Sequence, residues 1–103
     1  MKRRIIWSAP GRQDLREIVT YISNDDPGAA ARVRRAIGLV AEKLAESLTG
    51  RPGRTSATYE KSVANLPCIL AYVVRGGDAG EVVIILRVIH TARDWPGGGW
   101  PEP

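Results

Sequence analysis

The sequence predicts an α+β domain: an N-terminal strand, a helical hairpin and a three-stranded antiparallel meander, with the helices on one face of a mainly antiparallel four-stranded sheet. Two stretches between residues 12 and 48 repeat apolar side chains at helical spacing. From residue 58 to 90 the pattern changes to alternation or continuous apolar runs, and glycine- or proline-bearing punctuation separates the segments. A chain of 103 residues has room for one core, since domains run to roughly 100–200 residues.

Arg4 to Ser8 is short, β-branched and aromatic, then interrupted by Pro10 and Gly11, which reads as a first strand. From Arg12 the period is helical: Leu15, Ile18, Val19 and Ile22 share one face, Arg12, Arg16 and Glu17 turn outward, and the helix is expected to end near Ser23 and Asn24. Asp26 followed by Pro27 is a helix start, because the carboxylate accepts from free N–H groups and proline tolerates the first helical position. Val33, Ile37, Val40, Ala41, Leu44 and Leu48 form the second stripe, with Gly50 as its expected terminator. Thr58 to Val63, Ile69 to Arg75 and Glu81 to His90 are the remaining strands, the last two joined by the loop Gly76 to Gly80. The domain is expected to span residues 1–96, with 97–103 a proline- and glycine-rich tail.

In the last strand Val82, Ile84, Leu86 and Val88 alternate with Val83, Ile85, Arg87 and Ile89, so both faces are apolar. Two helices cover one face. At roughly 25 cal/mol per Å², leaving the other wet forfeits several kcal/mol, so that face is expected to take a partner, unless the tail with Trp95 and Trp100 folds over it.

Lys and Arg number 15 against 11 Asp and Glu, a formal charge of +4, and Lys2, Lys43 and Lys61 are the lysines. An arginine-rich surface suits nucleic acid or an acidic protein. Cys68 stands alone, which excludes an intrachain disulfide; after Pro67 it reads as a small buried hydrophobe. Ile5, Ile6 and Trp7 are too short a run for a signal peptide, and nothing approaches the roughly 18 residues of a membrane span. A cytoplasmic protein without membrane association is expected. One histidine and one cysteine do not build a metal site, and no glycine loop opens a helix after a strand to cradle phosphate. Neither metal nor cofactor is expected.

Trp7-Ser8, Asp14-Leu15, Ile18, Tyr21-Ile22, Pro27 and Ala29-Ala30 are followed by Gly50-Arg51-Pro52-Gly53-Arg54, Leu66-Pro67 and Ala71-Tyr72. The run closes with Ile85-Leu86-Arg87-Val88-Ile89-His90 and Ala92-Arg93-Asp94-Trp95-Pro96. In this order the fragments resemble RelE/ParE-type plasmid stabilisation toxins over about residues 6–96. The resemblance implies a growth-inhibiting toxin neutralised by a cognate antitoxin whose C-terminal segment fills hydrophobic grooves on it. Operator DNA would be met only through the antitoxin.

Two activities divide such toxins: inhibition of DNA gyrase without a hydrolytic site, and ribosome-dependent cleavage of mRNA. Cleavage by the 2′-hydroxyl needs proton acceptors and donors, and cations on the phosphate. The catalytic candidates are thin: His90 and Arg87, which alternation places on opposite faces. Ile69 stands where several nucleases of this resemblance carry a phosphate-binding arginine, and the lysine clusters of another subtype are absent. The reading therefore leans away from an enzyme and toward gyrase, with a ribosome-dependent mRNA endonuclease and a non-toxic antitoxin-binding relic as alternatives. Contacts to antitoxin or target are expected from Arg51, Arg54, Tyr59, Lys61, Tyr72, Val83, Ile85, Arg87, Arg93 and Trp95. An arginine inside so apolar a strand needs a partner: an antitoxin carboxylate, a target group, or an internal acid such as Glu60.

Overall fold

The computed structural model describes residues 2–53, 57–76 and 80–91. Its elements run β1 (Arg4–Trp7), α1 (Ala9–Ser23), α2 (Pro27–Lys43), β2 (Arg51–Pro52), β3 (Tyr59–Ser62), β4 (Cys68–Arg75) and β5 (Val82–His90). The strands form one sheet in the order β1-β5-β4-β3-β2. β1 pairs parallel with β5, and every other pairing is antiparallel. The α+β layout and the meander agree with the expectation, while the described residues form five strands rather than the four expected. The extra strand, Arg51–Pro52, is two residues long and sits in a stretch whose proline and glycines read as loop.

Two helix limits also differ. α1 begins at Ala9, because Ser8 caps it: the Gly11 N–H donates to Ser8 Oγ at 3.0 Å. Pro10 is tolerated in a first turn, where a missing N–H goes unneeded, so the residue expected to interrupt the chain helps to start the helix. Gly11 is there for close approach, since a Cβ would lie 2.7 Å from the Ile85 carbonyl oxygen. α2 starts as expected, with the Ala29 N–H donating to Asp26 Oδ1 at 3.0 Å, but it ends at Lys43, short of Gly50. Leu48 consequently leaves the core stripe and is exposed. Gly50 instead adopts φ 112°, and a Cβ there would run into the Glu60 carbonyl oxygen.

The core lies between the helical hairpin and one sheet face. Ile18, Ile37, Ala41 and Leu44 pack with Leu70, Tyr72, Val83, Ile85 and Val88. Along β5 the alternation breaks once. Tyr72 pairs with Ile85 and Ala71 with Arg87, so Leu86 is an extra residue. Past this bulge the parity reverses, and the core face reads Val83, Ile85, Val88, His90. This corrects the expectation that Val88 shares a face with Val82 and Ile84.

On the second face Ile69, Val73 and Ile89 are buried, with Ile69 opposite Ile89 and Val73 opposite Ile84 across the β4–β5 ladder. Ile6 on β1 is exposed. The tail of residues 97–103 lies outside the described residues, as do Trp95 and Trp100.

Candidate functional site

β1 lies at the end of the sheet order, so one of its edges faces β5 and, among the described residues, the other has no strand beside it. A groove of about 760 Å³ runs along that side, lined by Ile5, Ile6 and Trp7 of β1, by one face of α1, and by Arg34 of α2. Alternation turns Ile5 and Trp7 toward the helices and Ile6 away. All three line the groove, which therefore follows the strand edge. On α1, the spacing of Arg12, Leu15, Arg16, Val19 and Thr20 sets a second stripe beside the buried one of Asp14 and Ile18. The floor is apolar and the rim is Arg12, Arg16 and Arg34. Arg12 Nη1 donates to the Trp7 carbonyl at 3.3 Å and Arg16 Nη2 to Gln13 Oε1 at 2.7 Å, which holds both cations beside the groove. Apolar side chains, a strand edge and guanidinium groups together suit a peptide segment with apolar anchors and carboxylates.

Below the groove, α1 is bolted to β5 where β1 stops. The last β1–β5 pair is Trp7 with Ile85. Beyond it the Ser8 N–H donates to the Ile85 carbonyl at 3.0 Å and Ser8 Oγ–H to the Leu86 carbonyl at 3.0 Å. Asp14 Oδ2 accepts from the Val88 N–H at 3.0 Å and from Arg87 Nε at 2.7 Å, and Oδ1 accepts from Arg87 Nη2 at 3.0 Å. Helix side chains thus replace the missing strand as hydrogen-bond partners of the β5 edge. Asp14 is 3% exposed, and its hydrogen bonds hold the Arg87 guanidinium above its ordinary pKa against the opposing effect of burial. The partner expected for Arg87 is internal and is Asp14, not Glu60, which faces Arg51 at 3.5 Å. Asp14 was absent from the expected site residues. Its signal was a carboxylate beside Leu15 and Ile18 on the apolar stripe of α1.

The other expected residues scatter. His90 is buried on the core face, edge-on to Tyr21 at 6.3 Å between ring centres. Register sets it opposite Cys68 and sets Arg87 opposite Ala71, on alternate faces, so the two catalytic candidates do not form one site. Val83 and Ile85 are 0% exposed, which makes them core rather than partner contacts, because parity turns them under the helices. Tyr72 is likewise core. Its hydroxyl donates to the Thr49 carbonyl at 2.6 Å, and burial raises its pKa. Tyr59 stacks on Tyr72 with ring centres 5.5 Å apart and is itself 42% exposed. Lys61 is half-buried opposite Leu70, and Arg51 is exposed. Arg54, Arg93 and Trp95 lie outside the described residues. Burial pushes the Cys68 thiol up to about 11, as suits a small hydrophobe. Among the described residues no group of three His, Cys, Asp or Glu is placed to hold a metal ion, and no helix is long and apolar enough to cross a membrane.

The same arrangement of helices and strands occurs in solved toxin–antitoxin structures. A chain from the chromosomal ParDE system of P. aeruginosa superposes with a TM-score of 0.75 at 19% identity, covering 86% of this chain and 96% of that one. A chain of the RelBE2 toxin–antitoxin complex of Mycobacterium tuberculosis gives 0.61 at 22% identity, covering 90% and 95%. The YoeB/ParE toxin of Agrobacterium tumefaciens gives 0.57 at 12%, covering 84% and 97%. At these identities the likeness is one of fold. Sequence goes further: Y4kP of Sinorhizobium fredii (strain NBRC 101917 / NGR234), a protein named as a candidate toxin, is 41% identical over 96 residues, 92% of this chain and 95% of that protein. The profile described as the ParE toxin of the type II toxin–antitoxin system parDE matches residues 5–95, from the first strand of the sheet to beyond the last. A match over that span places the strand edge, the helical hairpin and the Asp14–Arg87 junction inside one family unit, and the chain belongs to the ParE toxin family of type II toxin–antitoxin systems.

Proposed function

We propose that this chain is a cytoplasmic growth inhibitor restrained by a cognate antitoxin, and that it acts by binding DNA gyrase rather than by cutting RNA. The observation that carries the choice is the engagement of Arg87 with Asp14. A guanidinium already forked onto a buried carboxylate is poorly placed to neutralise a phosphate, and proton transfer requires a group within about 2.6–3.2 Å of the reacting atom, whereas His90 lies buried against Tyr21. The family description and the ParDE and RelBE2 structures support an antitoxin partner. Its seat is the β1 groove, whose apolar floor and arginine rim fit an acidic amphipathic segment, and operator DNA is reached only through that partner.

Inducing the chain without antitoxin is expected to produce filamentation, a DNA-damage response and trapped gyrase cleavage complexes while transcripts stay intact. Sequencing transcript ends alongside gyrase-bound DNA checks this. Rapid codon-biased mRNA cuts would overturn the gyrase reading in favour of the ribosome-dependent nuclease, and normal growth would favour a non-toxic relic. The groove has its own test. Arg16→Glu reverses one rim charge without touching the core, so antitoxin association should slow by about tenfold and lose part of its salt dependence, with the melting temperature unchanged. Association kinetics at two ionic strengths read this out, and an unaltered rate would remove the arginine rim from the antitoxin contact.

A further inference from the structure

We infer that the outer face of α2 is a contact between two copies of this chain, packed antiparallel about a two-fold axis between Gly38 and Leu39. Gly38 lies in the interior of α2, where glycine is a poorer helix former than alanine. A Cβ at this position would meet nothing within 4 Å, so no packing among the described residues calls for a glycine there. Beside it Leu39 is half exposed. The two belong to a shallow groove of about 430 Å³ lined by Ala31, Arg34, Arg35, Gly38, Leu39 and Glu42. That is the face turned away from Ile37 and Ala41 in the core.

The spacing of these residues is self-complementary. In an antiparallel pair centred between residues 38 and 39, each Leu39 enters the notch left by the partner's Gly38, and each Arg35 meets the partner's Glu42. Symmetry makes every contact twice, as an isologous interface requires. Arg35 and Glu42 carry no ion pair among the described residues, so both are available. A parallel pairing in register would set Arg35 against the partner's Arg35 and align the helix dipoles unfavourably. Absence of a side chain at the crossing lets axes approach toward the close end of the 8–10 Å range of packed helices. One helix per copy offers less than the roughly 1,200 Å² of a standard interface, and each chain carries +4, so the association is weak and concentration-dependent. Arg34 lines both this face and the β1 groove, which sets the second copy next to the antitoxin seat without occupying it.

Sedimentation velocity of the purified full chain at rising concentration tests this. The wild type should shift from monomer toward dimer. Arg35→Glu should weaken the association by roughly tenfold or more, and Arg35→Glu combined with Glu42→Arg should restore it. Both positions are exposed, so melting curves of the three proteins should coincide. A wild type that stays monomeric, an Arg35→Glu variant that associates like wild type, or a charge swap that fails to recover each overturns the proposal. So does an Arg35→Glu variant that loses antitoxin affinity while self-association is unchanged, which would assign the face to the antitoxin instead.

Discussion

Asp14→Ala is expected to destabilise the fold by about 3–5 kcal/mol, the range for removing one partner of a buried ion pair. The carboxylate accepts three hydrogen bonds, from Arg87 Nε, Arg87 Nη2 and the Val88 N–H. Alanine removes the carboxylate that accepts two hydrogen bonds from the half-buried Arg87 guanidinium and one from an edge N–H of β5. For a domain of about this size, a loss of that order lowers the melting temperature by more than about 10 °C. Arg87→Met should destabilise too, because it leaves Asp14 buried with only the Val88 N–H as partner. Since the pair is internal, that variant should bind antitoxin with wild-type affinity. Asp14→Leu combined with Arg87→Met should recover part of the loss, as replacing a whole buried pair by hydrophobes often does. Denaturant unfolding of all four proteins with antitoxin titrations checks the set. An Asp14→Ala protein within 1 kcal/mol of wild type, or an Arg87→Met protein that keeps its stability and loses antitoxin binding, would show that the junction is not what holds α1 to β5.

Gly11→Ala should also destabilise, against the helix-propensity trend that favours alanine by about 1 kcal/mol. The added Cβ would lie 2.7 Å from the Ile85 carbonyl oxygen, 3.2 Å from Ser8 Oγ and 3.4 Å from the Leu86 carbonyl oxygen. Two of these are backbone atoms of a paired strand and cannot rotate away. Relief requires α1 to lift from β5, which stretches the Ser8 and Asp14 hydrogen bonds together, so a net loss of about 1–3 kcal/mol follows, the usual cost of overpacking. Gly38→Ala serves as the internal comparison: open space at that position predicts a gain of about 0.5–1 kcal/mol in the monomer. Opposite signs at Gly11 and Gly38, measured by thermal unfolding at low concentration, are the expected result. A stabilising Gly11→Ala would mean that α1 does not approach the strand this closely.

Several features of the fold are legible in the sequence alone. The helical stripes, the Asp26-Pro27 start of α2, the antiparallel meander and the burial of Cys68 all rest on periods and caps within a few residues of chain, which local physics dictates. The need of Arg87 for an acidic partner could also be read, since an arginine in an apolar strand is costly to bury alone. Its partner could not. Asp14 and Arg87 lie 73 residues apart, and their meeting depends on α1 crossing β5 just where β1 ends. The start of α1 is itself local, Ser8 capping Gly11 with Pro10 in the first turn, but that Ser8 also donates to the Ile85 and Leu86 carbonyls depends on the sheet. The bulge at Leu86 reversed which side chains of β5 enter the core, moving Val88 and His90 inward, and no local pattern distinguishes an extra residue from regular alternation when every candidate is apolar. The groove is the largest such case. Tertiary structure alone decided that, among the described residues, β1 pairs with β5 on one side and faces Arg12, Arg16 and Arg34 on the other, because strand order is set by packing between segments remote in sequence.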